Sequence, residues 1–460
     1  MIDARWKSLV PATLALLAAC GSASDLSGDA TREAGTSDGG ETLALVGLAA
    51  SALDPDEAIA SPAIEALRAA GPAGLAALLD AHADAVARLR TAPLSGDRDA
   101  IDGLREDPTL VRLRAAIDRV AAQRDAFASG LYWYTDLDTA RVEAARSGRP
   151  ILSLRLLGRL DEEASCANSR FFRWLLYPSP AVREVLAGYV LHWSSERPAP
   201  HITIDMGDGR TIERTITGNS IHYVLDASGR VIDAIAGLHT PTDFAERLRS
   251  ARAIAERCGT RYADRDCLAT QHQRLLDETR AAWSALGDRV PTWDALVAAD
   301  APTVAAPDAA MAMPITVGKM SIEMPMLRLM DPRPAFLAPS LVAWDAVARM
   351  ASASPASYVE TITDEARALG RLKTGNPVDA ALLAGTYERT CEDAVRNRFT
   401  LDRRLHAWLA SADVANDFVS LNARIYTELF LTPASDPWLG LRDANDWDVL
   451  EVRGSTGVRN

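Results

Sequence analysis

The hydrophobic pattern changes at about residue 130, from the spacing of helices to an alternation of short β-rich runs with helical segments. A helical segment at 136–147 ends at Gly148-Arg149-Pro150, and the β-rich run 151–157 follows. Two more helical segments, 166–176 and 181–186, precede a second β-rich run at 189–193. A strand, helices and a second strand form a βαβ unit, so the two strands should be parallel. This pattern predicts a sheet covered by helices and argues against an all-helical fold.

Three further segments complete this region. Residues 202–216 predict a hairpin around Gly207-Asp208-Gly209, and 221–226 should pair with 230–235 across Ala227-Ser228-Gly229. A helix at 242–256 follows. The order is therefore βαβ, then a β-hairpin, then a helix.

This order and three local strings resemble the thioredoxin-like superfamily. The strings are ARVEAARSGRP at 140–150, SCANS at 165–169 and TGNSIHYVLDASGRVIDAIAG at 217–237. The resemblance covers about a quarter of the chain, residues 132–255. It implies an α/β thioredoxin-like domain at 130–256. Apolar spacings of three and four predict a mainly α-helical N-terminal segment at 42–129 and a C-terminal helical domain at 257–460.

The resemblance also implies a site, with two departures from the family pattern. Members that exchange disulfides carry C-x-x-C, whereas here Cys166 stands first and Ser169 takes the second position. The family places a cis-proline opposite the cysteines, and the corresponding position here is Ser220. Because a serine cannot resolve a mixed disulfide, dithiol exchange by this pair is excluded. The implied pocket around Cys166 consists of Asn168, Ser169, Ser220 and His222.

The charges near Cys166 oppose one another. A helix N-terminus stabilises a thiolate, and Arg159 and Arg170 could add to that effect. Three carboxylates on Asp161, Glu162 and Glu163 disfavour a thiolate. Both a working thiol and a structural cysteine remain open at this point.

The first twenty residues resemble a bacterial lipoprotein signal. Arg5 and Lys7 precede an apolar run that ends in the lipobox-like string Leu17-Ala18-Ala19-Cys20. The pattern predicts a signal peptide at 1–20, lipidation of Cys20, and a flexible Gly- and Ser-rich tether at 21–41. The protein should then be exported and anchored in the cell envelope. Gly21 favours the outer membrane, on its periplasmic side, if the source has two membranes.

Composition restricts the partners. The net charge of −13 disfavours a nucleic-acid partner. After residue 20 no run of about 18 apolar residues occurs, so the lipid is the expected membrane attachment. A protein partner is possible.

Lipidation of Cys20 would leave four cysteines. Cys258 and Cys267 lie nine positions apart, and an exported chain allows a disulfide between them. Cys166 and Cys391 occur in different contexts. Four buried thiols are the alternative.

Metal binding is a minor alternative. His192, His201, His222 and His239 fall within the α/β region, and six methionines lie between Met311 and Met330. Core histidines and core methionines are the commoner explanation, so no metal ligands are predicted. In the C-terminal region, Arg403, Arg404 and His406 form either a small basic site or a solvated helix face.

No hydrolase, zinc-protease, P-loop or dinucleotide-binding motif is present, and no cofactor is expected. The first functional hypothesis is a thiol-disulfide role in the cell envelope through Cys166, which would make the protein an oxidoreductase-like enzyme. The second is a non-catalytic scaffold that binds a partner protein. The exposure of Cys166 discriminates between them.

Overall fold

The computed structural model describes residues 37–215, 218–287, 347, 362–375, 380–411 and 418–435. Cys20, the predicted signal peptide and the Met311–Met330 segment lie outside the described residues. The predicted tether extends to residue 41, whereas helix α1, Ser37–Ser51, already begins at residue 37.

The segment before the sheet is helical, as its spacing predicts. Asp56, Asp97 and Asp107 cap three of its helices by accepting hydrogen bonds from backbone N–H groups of the first turn. The apolar faces pack into one cluster around Leu67, Leu78 and Ile117. The helices after α1 are α2 Glu57–Ala69, α3 Pro72–Ala81, α4 Ala83–Thr91, α5 Arg98–Glu106, α6 Pro108–Ala121 and α7 Ala126–Ser129, with a 3-10 turn at Ala92–Ser95.

The predicted mixed α/β architecture is confirmed by a four-stranded sheet. Its strand order is β2-β1-β5-β6, with β1 parallel to β2, β5 antiparallel to β1, and β6 antiparallel to β5. The predicted hairpin forms a separate two-stranded sheet, β3-β4. The strands are β1 Ile151–Leu157, β2 Val190–Arg197, β3 His201–Asp205, β4 Thr211–Thr215, β5 Ile221–Leu225 and β6 Val231–Ala236.

The helices around the sheet also follow the predicted order. Gly148 ends the first of them with φ +71°, a conformation that a residue without a Cβ adopts at little cost. The second runs directly into a π-helical turn, Phe172–Leu176. These helices are α8 Leu137–Ser147, α9 Ala167–Phe171, α10 Pro180–Leu186 and α11 Pro241–Cys258.

Both faces of the sheet are covered, which explains why every residue of β5 is buried. On one face His222 lies between the rings of Phe172 and Phe244, each with its centroid 4.8 Å away. On the other face Tyr223 packs edge-on against Phe418. Successive side chains of a strand point to opposite faces, so a strand covered on both sides becomes a continuous apolar run.

Some of the C-terminal helices pack against the two preceding regions. Leu369 and Leu372 join the apolar cluster of the N-terminal helices, whereas Phe418 and Ile425 join the core of the sheet. Contacts place residues from Ala44 onward in one compact unit. The described helices are α12 Arg265–Gly287, α13 Asp364–Thr374, α14 Ala380–Phe399, α15 Leu401–Ala410 and α16 Phe418–Arg424, the last followed by a π turn, Ile425–Leu429.

Within the described ranges, no helix combines the length and the apolar character needed to cross a bilayer.

Candidate functional site

Cys166 lies where the chain leaves β1 and enters α9. Gly158, with φ +73°, turns the chain out of the strand, and a Cβ there would come within 3.2 Å of the Ser165 Cα. The backbone N–H of Cys166 then donates to the carbonyl of Leu157 at 3.2 Å, which fixes the start of the helix against the strand. The Cys166 side chain has an exposed fraction of 0%. The candidate thiol is therefore part of the core.

The structure brings Ser220 to Cys166, as the resemblance implies. The Ser220 hydroxyl lies 3.6 Å from Sγ, close enough for a weak hydrogen bond in which either group can donate. Ser220 precedes β5, and its carbonyl accepts from the N–H of Gly237 at 3.0 Å. No peptide bond in the described ranges is cis, so the peptide bond that precedes Ser220 is trans.

Ser169 is engaged away from the thiol. Its buried hydroxyl accepts a hydrogen bond from the Ser165 hydroxyl at 2.9 Å, and Arg173 donates to Ser165 at 3.1 Å. Ser169 thus belongs to a polar network at the first turns of α9.

Asn168 is the unusual member of the predicted pocket. Its side chain is fully buried, and neither its Nδ2 nor its Oδ1 has a hydrogen-bond partner among the described residues. Burying an amide without partners costs about 1–3 kcal/mol. The buried Asn168 amide therefore lowers the stability of the protein next to Cys166, and no hydrogen bond within the described residues offsets this loss.

His222 is a core histidine. Its Nε2 is 2.8 Å from the hydroxyl of Tyr177, and the Phe172 and Phe244 rings enclose it. Burial lowers the pKa of His222 to about 3, so its imidazole is neutral at neutral pH. Its contacts show a packed ring with one hydrogen bond and do not show an exposed base.

The charged residues near Cys166 neutralise one another. Arg159 pairs with Asp161 at 2.7 Å and with Glu162 at 3.5 Å, while Arg170 donates to the Thr215 hydroxyl. Arg159 thus offsets the charges of Asp161 and Glu162, and the Arg170 guanidinium is held by a neutral hydroxyl.

Glu163 is bound to Lys373 on α13. Burial tends to raise the pKa of the Glu163 carboxyl, but Lys373, 2.7 Å away, and the guanidinium groups of Arg173 and Arg124 together lower it to about 2. The third carboxylate therefore helps to join the start of the Cys166 loop to the C-terminal helices.

The other cysteines lie elsewhere. Cys258 and Cys267 are at disulfide distance, with their Cα atoms 5.5 Å apart, at the junction of α11 and α12. Cys391 on α14 is buried, and burial raises its pKa to about 12. Neither feature supplies a second thiol to Cys166.

A second cluster of potentially functional residues lies between the sheet and the C-terminal helices. Asp233 on β6, His272 on α12 and His406 on α15 are all buried, and one donor atom of each lies within 4.8 Å of the others. This cluster could not be found in the sequence, because its members are 39 and 134 positions apart and come from three elements. The histidines that the sequence suggested for metal binding are not among them.

The contacts of His406 also correct the idea of a basic site with Arg403 and Arg404. His406 is buried against His272, whereas Arg404 donates to the carbonyl of Glu428 at 3.0 Å. The Arg403 guanidinium lies over the ring of Trp283. The three residues share a helix but point to different surroundings.

The comparisons gave no relative: no protein-family model, no curated protein and no solved structure matches the chain.

Proposed function

We propose that this chain is a lipid-anchored scaffold of the cell envelope, in which residues 130–256 form a thioredoxin-like module without thiol chemistry and the protein serves to bind a partner protein. One observation carries the proposal: Cys166 is completely buried. A thiolate must reach a sulfur of its substrate in order to exchange a disulfide. A cysteine in the core does not offer that access.

The strand order supports the thioredoxin-like part of the proposal. A parallel β1-α-β2 unit is followed by the antiparallel pair β5-β6 and then by α11, which is the order on which the resemblance rests. Ser220 faces Cys166 at the position of the family's cis-proline. The module keeps the layout of the family while the residues of the exchange pair are replaced or buried.

Export is supported by the cysteine pair at the end of α11. Disulfides persist in oxidising compartments, and Cys258 and Cys267 are placed to form one. The lipid anchor rests on the string that ends in Cys20. If Cys20→Ser still leaves the protein in the washed membrane fraction, the anchor is wrong.

Alkylation of Cys166 tests the absence of thiol chemistry. We expect iodoacetamide to leave Cys166 unmodified in the folded protein at neutral pH, because the sulfur is inaccessible, and to modify it once denaturant is added. A Cys391→Ser variant removes the other buried thiol, and peptide mass mapping then assigns the modified site. Cys391 in the wild-type protein provides a matched buried control.

Rapid alkylation of native Cys166 would contradict the scaffold and support the single-cysteine role. The hydroxyl of Ser220 is the observation that favours this second function, since it is placed to donate to a thiolate. In that case Ser220→Ala should raise the pKa of Cys166 and slow its alkylation near neutral pH.

A further inference from the structure

Asp233, His272 and His406 bring three metal-ligand side chains together in the interior. They come from β6, α12 and α15, which are far apart in the chain and are packed against one another in the fold. Each residue is buried, with an exposed fraction of 7% or less. Buried charged and polar side chains need partners, and here these residues are one another's neighbours.

The donor atoms have the spacing of a shared ion. The Nδ1 atoms of His272 and His406 are 3.1 Å apart, and the Nδ1 of His406 is 3.8 Å from Oδ1 of Asp233. Bonds of about 2.0–2.2 Å place two ligand atoms of a tetrahedral ion about 3.3–3.6 Å apart. The two distances lie on either side of this range, and all three donor atoms lie within 4.8 Å of one another, so small shifts of the side chains would complete the site.

A hydrogen bond outside the cluster orients one ligand. Nε2 of His272 lies 2.8 Å from the carbonyl of Ile232, so that nitrogen carries the proton and donates it. The lone pair of His272 is then on Nδ1, which faces His406 and Asp233. Metal-binding histidines almost always hold their second nitrogen in this way.

We propose that Asp233, His272 and His406 bind one divalent transition-metal ion of the zinc class. Two imidazole nitrogens and one carboxylate oxygen are borderline donors that suit Zn²⁺ and Co²⁺ better than Ca²⁺ or Mg²⁺. With three protein ligands, a water molecule would take the fourth position. The ion would join the edge strand of the sheet to α12 and α15.

The surrounding charges permit a cation. Arg247, whose charge acts on His406, is held by Asp243 at 2.9 Å and by Asp402 at 2.5 Å. Its charge is therefore offset by two carboxylates, and the charge of the ion would be offset in part by Asp233. The alternative is a hydrogen bond between the two imidazoles without an ion.

Cobalt titration of the full chain, after a chelator has removed any bound metal, tests the proposal. We expect one equivalent of Co²⁺ to give visible d–d bands of a tetrahedral site, Zn²⁺ to displace it, and Zn²⁺ to raise the melting temperature. The near-ultraviolet sulfur-to-cobalt band should be absent, since the ligands contain no sulfur.

Three variants locate the ion. His272→Gln, His406→Gln and Asp233→Asn should each weaken Co²⁺ binding by about 100-fold or more, since loss of an outer-shell partner alone costs 10- to 100-fold. His201→Gln is the matched control, because His201 is exposed on the β3-β4 hairpin and paired with Glu213. It should bind Co²⁺ as the wild type does.

X-ray absorption of the Zn²⁺-loaded wild-type protein keeps the test independent of whether the variants fold. Two imidazoles and oxygen ligands without sulfur would support the site. Sulfur in the coordination shell, binding that survives His272→Gln, or no stoichiometric binding would overturn it and leave a direct hydrogen bond between the histidines. None of these outcomes depends on the reactivity of Cys166.

Discussion

Asn168 and Asn397 show how much the same side chain can differ in its surroundings. Both are buried, but Asn397 donates to the carbonyl of Leu238 at 3.1 Å and contacts Asp393 at 3.2 Å, whereas the amide of Asn168 has no hydrogen-bond partner among the described residues. A buried amide contributes to stability only through the partners it finds. Asn397 therefore stabilises the packing of α14, and Asn168 does not stabilise α9.

Replacement by leucine, which has the same branching as asparagine, should distinguish the contributions of Asn168 and Asn397 to stability. We expect Asn168→Leu to leave the free energy of unfolding unchanged or to raise it by about 1–3 kcal/mol, because an unpaired amide is removed. Asn397→Leu should lower it by about 1–3 kcal/mol, because two buried partners lose their bonds. Urea denaturation measures both. If Asn168→Leu is as damaging as Asn397→Leu, the Asn168 amide has a partner in solution.

Individual site residues could be predicted from the sequence only where the chain itself brings them close or a family pattern places them. Cys166 and Ser169 share one helical turn, and the resemblance suggested Ser220 as a neighbour of Cys166, from which its hydroxyl lies 3.6 Å away. The burial of Cys166 could not be predicted, since it depends on the helices that cover the sheet. His272 and His406 were missed because nothing in their spacing distinguishes them from single core histidines.

At the scale of elements, the local pattern located strands and helices but did not pair them across the chain. The run predicted at 151–157 coincides with β1, and the parallel partner and both hairpins are present. By contrast, the position of α13 beside the N-terminal helices was not predicted. An apolar stripe shows that a helix face is buried, and it does not show against which element.

Truncation of Leu369 on α13 tests that packing. We expect Leu369→Ala to destabilise the protein by about 2–5 kcal/mol, because Leu369 is buried in the N-terminal cluster and alanine leaves a cavity there. Val142→Ala, at a side chain that is 70% exposed, is the control and should change stability by less than about 0.5 kcal/mol. Hydrogen exchange should show faster amide exchange in α4 and α5, which α13 contacts.

If amide exchange becomes faster only in α13 and is unchanged in α4 and α5, α13 does not stabilise these N-terminal helices, and the proposed packing between them is wrong. The N-terminal and C-terminal helices would then behave as the separate domains that the sequence suggested.

For the molecule as a whole, buried histidines connect stability to pH. Burial lowers the pKa of His192 to about 4, with Arg155 adding to the effect, and lowers that of His222 to about 3. Both values lie below the unfolded value of about 6.5. As the pH falls below 6.5, the unfolded chain takes up these protons before the folded protein does. The contribution of the two neutral histidines to the free energy of unfolding is thus fully present above pH 6.5, and it is lost as the pH falls toward 3–4.

Other groups change stability in the same pH range, with the opposite sign. Burial and the nearby Asp125 raise the pKa of Asp118 to about 7, so the folded protein binds that proton more readily than the unfolded chain. Asp118 alone would make the protein more stable as the pH falls from 7 toward 4. A comparison of two proteins that both contain Asp118 removes this contribution, which makes a histidine variant more informative than the wild-type profile.

His222→Gln is that variant, because a glutamine amide can replace Nε2 as the partner of Tyr177 and does not take up a proton. Between pH 7 and pH 5, a histidine with an unfolded pKa of about 6.5 and a folded pKa near 3 costs the wild type about 2 kcal/mol of stability. We therefore expect the free energy of unfolding of His222→Gln to fall by about 2 kcal/mol less than that of the wild type over this interval. Urea titrations at the two pH values measure the difference, and His201→Gln, at an exposed histidine, should follow the wild type. Equal falls in His222→Gln and the wild type would mean that His222 is protonated in the folded protein, and its ring would then have to be solvated instead of packed between Phe172 and Phe244.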